Sequence, residues 1–452
     1  CVYIRHKNWI EAMQEFEKIL KRLRPLNIRY LIRLIDKAKE AADLIKGKNI
    51  IFFLGGTGSG KSTIIHALAG SKMEAKEVNG LCHISPVGPF KNRALEAMTS
   101  NPNAESGTRS ITPVTIQYSD VGGNSLGEVV LCDTPGFEDT DEPEIDIANM
   151  IGIVQAAQLS KSVKPVLLVS YKAVGDRLTG IKNLARNIIS MIPSIEQHMK
   201  AFSYIFTKFP KAERDRIHAS LVDLTKHLKP EEIDDKCYMT FHDDMVKKTR
   251  KGAIVIDPLN INPGELLDDL ADTPAMEYPD RVFQKSITEK SKTVLNEACN
   301  KHQSAIIIAC KNHNYEYACM RLDELKTLYE ILEQDSINQV YKLCIGYAAK
   351  HLMAEYQTAI STFKRSFTDQ NELTNDDINQ YIQYIEHAKK AEKLRMTHLQ
   401  NTDVVHPSAY TQYVITQFET LISCIKQKSL DESLLLKRIF DKCRLLSTAF
   451  PE

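Results

Sequence analysis

The stretch that decides the reading of this chain runs Ile50-Ile51-Phe52-Phe53-Leu54, then Gly55-Gly56-Thr57-Gly58-Ser59-Gly60-Lys61-Ser62, then Thr63-Ile64-Ile65-His66-Ala67-Leu68. The first apolar run predicts a buried strand and the second a helix. The turn between them fits G-x-x-x-x-G-K-S/T in the strand-to-helix context that gives this pattern meaning. Glycines at 55, 58 and 60 let the backbone approach an anion closely, so that main-chain N–H groups and the positive helix end can face it. Gly55, Gly56, Thr57, Gly58, Ser59, Gly60, Lys61, Ser62 and Thr63 therefore read as a phosphate cradle. Lys61 is expected to reach the β- and γ-phosphates of a nucleotide and the Ser62 hydroxyl to ligate Mg²⁺. A glycine-rich turn with no ligand is the competing reading, and the complete pattern with both flanks disfavours it.

Outward from this stretch, composition sets the bounds. The chain has 452 residues, 43% hydrophobic and 26% charged, enough for a large core and too many for one ordinary domain. Formal net charge is zero, so nothing in the overall balance argues for a nucleic-acid or anionic-membrane partner. The basic cluster Lys21-Arg22-Leu23-Arg24 reads as a solvated helix face. Ten cysteines are scattered without a C-x-x-C pair, which suits reduced thiols and a cytoplasmic location. Apolar runs such as Ser304 to Cys310 are far short of a membrane span, and no signal-peptide pattern opens the chain. The first residue is Cys1, not Met, so a piece of a longer protein is expected.

Apolar periodicity divides the chain into four parts. Residues 1–48 read as two helices split at Pro25 and Asn27, with stripes Ile10, Met13, Phe16, Leu20, Leu23 and Leu31, Leu34, Ile35, Ala38, Ala42, Ile45. They are expected to pack beside the C-terminal helical region. Over residues 49–260 strands and helices alternate. Strands are expected at 50–54, 114–118, 128–132, 165–171, 202–206 and 253–256, and helices at about 63–68, 144–162, 180–192 and 212–227. That alternation predicts an α/β domain, a mainly parallel sheet with helices on both faces and ligands at the carboxyl ends of the strands. Residues 261–280, rich in Pro, Asp and Asn, read as a linker with one short helix near Glu265 to Leu270. Residues 281–452 carry only helical stripes and predict an all-α region.

The second chemical motif is Asp133-Thr134-Pro135-Gly136, closing the apolar run Val129-Val130-Leu131-Cys132. Asp133 is expected to face Mg²⁺, and the Gly136 N–H to sense a γ-phosphate. Together, Gly55–Ser62 and Asp133–Gly136 resemble the first and third signature elements of Ras-superfamily-type (TRAFAC) P-loop G domains. The closest flavour is that of septin-like, immunity-associated (GIMAP-like) and dynamin-related GTPases. The resemblance covers about residues 49 to 260. It implies binding of GTP or GDP with Mg²⁺, and a switch threonine completing the metal shell. Thr108 is the first choice, because Ser106-Gly107-Thr108-Arg109 resembles the immunity-associated S-x-T-R/K pattern; Thr112 is the alternative. Arg109 is a candidate charge stabiliser, in cis or in trans, and a solvated loop arginine is the plain alternative.

Two departures from that pattern matter. Guanine is read in such domains by N/T-K-x-D after the next strand but one, and here Thr207-Lys208-Phe209-Pro210 ends without an acceptor side chain. Glu213 or Asp215 could substitute, or ATP could compete. The later base-contact element is sought at Met239-Thr240-Phe241-His242. The residue after Gly136 is Phe137, which cannot orient water, so either the water-positioning group comes from elsewhere, with Thr57, Ser59 and Arg109 the local candidates, or low intrinsic turnover is expected. The acidic run Glu138 to Glu144 reads as a solvated segment, and His242-Asp243-Asp244 as an exposed polar turn. Cys310 and Cys319 read as ordinary thiols on helices, and the tyrosines of the helical region as packing residues.

The reading is thus a Mg²⁺-dependent GTPase with Lys61, Thr108, Arg109 and Gly136 as its catalytic group. Its switch segments would couple nucleotide state to a helical domain, for self-association or for binding a protein partner. A scaffold that binds nucleotide without hydrolysing it, and an ATPase or relaxed NTPase, are the alternatives.

Overall fold

The computed structural model describes residues 26–78, 81–90, 92–98, 111–137, 142–368 and 375–400, with isolated positions elsewhere. In chain order the elements are α1 (Ile28–Asp43), β1 (Asn49–Gly55), α2 (Lys61–Leu68), β2 (Lys72–Val78), β3 (Leu81–Val87), α3 (Arg93–Ala97), β4 (Thr112–Gln117), β5 (Glu128–Asp133), α4 (Pro143–Leu159), β6 (Ser162–Ser170) and α5 (Tyr171–Met191). There follow β7 (Ser203–Thr207), α6 (Ile217–Thr225), α7 (Pro230–Asp234), α8 (Lys236–Thr249), β8 (Val255–Ile256), α9 (Pro263–Asp272), β9 (Met276–Glu277), α10 (Pro279–Val282), α11 (Glu289–Lys311), α12 (Tyr315–Leu332), α13 (Asp335–Thr368), α14 (Asn375–Lys390) and α15 (Glu392–His398). The chain forms two compact units, residues 1–295 and 296–452.

The first unit is mixed α/β around a mostly parallel sheet of order β4-β5-β1-β6-β7-β8. β5, β1, β6, β7 and β8 run parallel, β4 is antiparallel to β5 at one edge, and β9 pairs antiparallel with the first residues of β6. Helices on both faces explain why β1 is apolar without alternation. Ile50, Phe52 and Leu54 face a core shared with Met150, Ile153, Ile188, Leu221 and Phe241, whereas Ile51 and Phe53 face Ile64, Leu68, Leu267 and Leu270. The strand order reverses beside β1, and at such a point an open α/β sheet leaves a crevice at its carboxyl edge.

Several expectations are corrected. Segment 261–280 is part of the fold: Pro263 opens α9, Asn262 caps it, and the Lys164 ammonium donates to the Leu270 and Ala271 carbonyls at its end. α1 packs on α4, where a side chain on Gly152 would meet Ala38 Cβ at 2.9 Å, so a partner in the same unit covers its apolar stripe. α4 is buried nearly all round as a result. α5 begins at Tyr171, nine residues earlier than its apolar pattern suggested. The hairpin β2–β3 and helices α3, α7 and α8 were not anticipated.

In the second unit, the stripe Leu322, Leu325, Leu328, Leu332 is the buried face of α12. α14 starts at Asn375, in the polar run Asn375-Asp376-Asp377. On α13, Cys344 and Leu352 are buried and Leu343 is exposed. The stripes expected beyond residue 403 lie outside the described residues. No helix among the described residues is long and apolar enough to cross a membrane.

Candidate functional site

β1 delivers the glycine-rich loop to the carboxyl edge of the sheet. Its register puts Gly55 beside Leu168 of β6 and Phe53 beside Asp133 of β5. A Cβ on Gly55 would stand 2.7 Å from the Leu168 carbonyl and 2.8 Å from Ser59 Oγ, so this turn closes only around glycine. Gly58 and Gly60 adopt φ of +68° and +94°, the left-handed region that side chains disfavour. Gly60 is the residue before α2, so the loop's direction is set where the helix N–H groups begin.

The charged and hydroxyl groups converge there. Lys61 is buried, and its ammonium donates to the Gly55 carbonyl at 3.0 Å and the Gly56 carbonyl at 3.2 Å. Ser62 Oγ donates to Asp133 Oδ2 at 2.6 Å, and Asp133 is fully buried. Thr112, at the start of β4, is the cross-strand partner of Asp133. Thr63 lies in the first turn of α2. Thr207 Oγ1 donates to the Ser59 carbonyl at 2.7 Å, tying the end of β7 to the loop. Lys208 follows with φ of +61° and its stem near Gly60. It keeps an exposed face, while shielding by protein atoms, with the Lys172 charge second, lowers its ammonium pKa. A bound anion would relieve that crowding.

Gly136 lies against the loop from the other side. A side chain there would come within 2.2 Å of Thr57 Oγ1 and 2.6 Å of Thr57 Cα. Phe137 continues the contact, its N–H donating to the Gly55 carbonyl at 3.3 Å and its ring buried in the core. Thr134 Oγ1 donates to the Phe53 carbonyl, which holds the turn against β1.

The predicted phosphate-loop, metal and Thr-Lys residues that fall among the described ones, Gly55 to Thr63 with Thr112, Asp133, Gly136, Thr207 and Lys208, are thus brought to one corner of the sheet. Thr108 and Arg109 lie outside the described residues. Residues 239–242 sit within α8 and not in a loop, and His242 is buried with Nε2 3.1 Å from the Leu221 carbonyl. Glu213 lies on a short turn and pairs with Arg216, and Asp215 is exposed. The loop that adjoins Lys208 is the one after β8, since Thr207 pairs with Ile256 and Asp257 comes next. Asp257 accepts from the Leu259 N–H and the Asn260 side chain. An apolar strand ending in Asp-Pro is a signal that pointed there. Tyr171, whose ring meets Phe209 edge-on at 5.2 Å, was also missed.

The donor set fits a Mg²⁺–phosphate ligand. Ser62 and Asp133 are adjacent hard oxygen donors, the type Mg²⁺ takes. Thr57 Oγ1 and Ser59 Oγ are buried hydroxyls without a hydrogen-bond partner, and buried polar groups are ordinarily paired. A comparison with known protein families finds no match, and a comparison with curated proteins finds none either.

Proposed function

We propose that residues 49–260 form a P-loop G domain that binds a nucleoside triphosphate with Mg²⁺, GTP first, and hydrolyses it slowly. The observation that carries this reading is the 2.6 Å contact of Ser62 Oγ with Asp133 Oδ2, beside Lys61, at the carboxyl edge of a parallel sheet. Two sequence motifs 71 residues apart meet as a hydroxyl–carboxylate pair, the donor types that Mg²⁺ takes, which supports this reading over an incidental glycine turn. The antiparallel edge strand β4 beside parallel β5, β1, β6, β7 and β8 supports the same fold assignment.

In this reading Lys61 exchanges the Gly55 and Gly56 carbonyls for phosphate oxygens, and the loop N–H groups orient the chain of phosphates. Ser62 and Asp133 would hold Mg²⁺, which would supply charge neutralisation to the phosphates. The Gly136 N–H registers the γ-phosphate. α4 begins six residues after Gly136's neighbour Phe137, and its first turn is clamped. Glu144 accepts from the Asn27 N–H at the start of α1, and Asp146 accepts from Thr288 and Ser291 at the start of α11. A shift at Gly136 therefore has two helices to act on, which supports coupling to a protein partner or a second copy. The absence of a membrane-spanning helix among the described residues is compatible with a cytoplasmic protein.

A second reading, nucleotide binding without turnover, is favoured by Phe137, whose buried ring leaves no water-orienting group after Gly136. Pro210 keeps ATP open as a competitor of GTP. Lys61→Ala is expected to weaken triphosphate binding about 10- to 100-fold, the scale of a lost hydrogen bond to a charged group. Ser62→Ala is expected to remove the Mg²⁺ dependence while the fold, read by circular dichroism, stays intact. Unchanged binding in Lys61→Ala would end the proposal.

A further inference from the structure

The second unit contains a cluster of imidazole and carboxylate groups that the sequence reading did not assemble. His351 and Glu355 are one turn apart on α13 and so share a face. His313 sits in the turn between α11 and α12 with φ of +54°, a backbone conformation uncommon for a side-chain-bearing residue. His387 comes from α14. Glu355 Oε1 is the common point, 2.8 Å from His313 Nδ1, 3.6 Å from His387 Nδ1 and 3.9 Å from His351 Nε2.

We propose that His313, His351, Glu355 and His387 form a binding site for one divalent transition-metal ion of the zinc class. Ligand atoms of His313, His351 and Glu355 all lie within 4.8 Å of one another. Zinc–ligand bonds of about 2.0–2.1 Å in a tetrahedron set the ligand atoms about 3.4 Å apart. The three separations around Glu355 Oε1 straddle that value; the His313 and His387 rings are stacked at 3.6 Å, so one of them turns out of the stack when both bind a single ion.

Two further observations point inward. His351 Nε2 and His387 Nδ1 are buried ring nitrogens without a hydrogen-bond partner, and a metal ion gives each lone pair an acceptor. The other carboxylate oxygen of Glu355 is already committed, accepting from the buried Tyr315 hydroxyl at 2.5 Å. That bond leaves Oε1 as a monodentate ligand and orients it, the usual work of a residue just outside a metal shell. Imidazole and carboxylate without thiolate suit Zn²⁺ better than Ca²⁺ or Mg²⁺, which take oxygen ligands. The ion would tie the α11–α12 turn to α13 and α14.

The neighbouring group of Cys319, Asp323 and His398 is a weaker candidate. There His398 Nδ1 bonds the Tyr341 hydroxyl at 2.9 Å, and Nε2, 2.9 Å from Asp323, is the one ring nitrogen left for an ion.

The test is calorimetric titration of the full, chelator-stripped chain with Zn²⁺, followed by the Co²⁺ absorption spectrum. The expected result is one Zn²⁺ per chain, bound at micromolar affinity or tighter, with a raised Tm and a cobalt spectrum free of thiolate charge transfer. Glu355→Gln, nearly isosteric, and His351→Ala are each expected to weaken binding at least tenfold and to abolish the Tm shift. Tyr315→Phe keeps all four ligands and is expected to weaken binding by about tenfold. Absence of stoichiometric binding would overturn the proposal. So would binding that survives both Glu355→Gln and His351→Ala, or a thiolate band that disappears in Cys319→Ser.

Discussion

Gly136 shows how closely the two motifs are fitted to each other. Any Cβ at 136 would collide with the Thr57 backbone as well as its hydroxyl, and neither motif can retreat without moving a central strand. Gly136→Ala is therefore expected to destabilise the first unit by ~1–3 kcal/mol, the range for overpacking, and to weaken nucleotide binding. A thermal melt and a nucleotide titration on the same sample check both effects; a normal melt with normal binding would contradict the packing argument. His66, on α2 behind the loop, gives a pH signature. It is fully buried, with Nε2 3.1 Å from the Met98 carbonyl, and burial lowers its pKa, opposed by that contact. The native state therefore prefers the neutral ring. Its contribution is complete above the ordinary value of about 6.5 and is lost as pH falls through the lowered native value. Tm is expected to fall more steeply between pH 7.5 and 5 in the parent than in His66→Gln. At this scale the sequence was informative where chemistry and spacing coincide: Lys61, Ser62, Asp133 and Thr207 were named from motifs alone. Asp257 was not, because the Asp-Pro after β8 points to the site only once β8 is known to pair with β7 beside Lys208, and Tyr171 is marked only by its ring contact with Phe209.

At the scale of elements, what was legible followed from local periodicity. β1, β5, β6 and β7 announced themselves as apolar runs, and α12 as a stripe. The hairpin β2–β3 was missed although Asn79-Gly80 separates its strands, with Val78 pairing Leu81. Asn-Gly between alternating residues is the strongest short hairpin signal, but the flanking strands are polar and lacked the apolar alternation that draws attention. The helix α9 is expected from sequence near Glu265 to Leu270, but within a linker, because Pro, Asp and Asn serve equally as caps and as loop residues; Leu267 and Leu270 make it part of the core only once the sheet face they cover is known. α1 was assigned the wrong partner because an amphipathic stripe specifies burial and not what covers it. Its contact with α4 gives a direct check. Gly152→Leu would drive a side chain into Ala38 and is expected to destabilise by ~1–3 kcal/mol, lowering Tm by about 2–4 °C per kcal/mol for a unit of this size. A Tm unchanged by this substitution would mean that α1 does not pack there.

For the whole molecule, an α/β unit and a helical unit carry separable proposals: nucleotide chemistry in the first, a metal ion in the second. Neither the acceptor for a purine base nor a water-orienting group is evident from Thr207–Pro210 and Phe137, so affinity and turnover are distinct questions. The most direct test is a fluorescent-nucleotide titration of the full chain with and without Mg²⁺, competed by GTP, ATP and XTP, followed by phosphate release on the same sample. Saturable, Mg²⁺-dependent binding displaced by GTP, with slow release of phosphate, is the predicted result. An absence of saturable binding in competition with any of the three nucleotides would contradict the account.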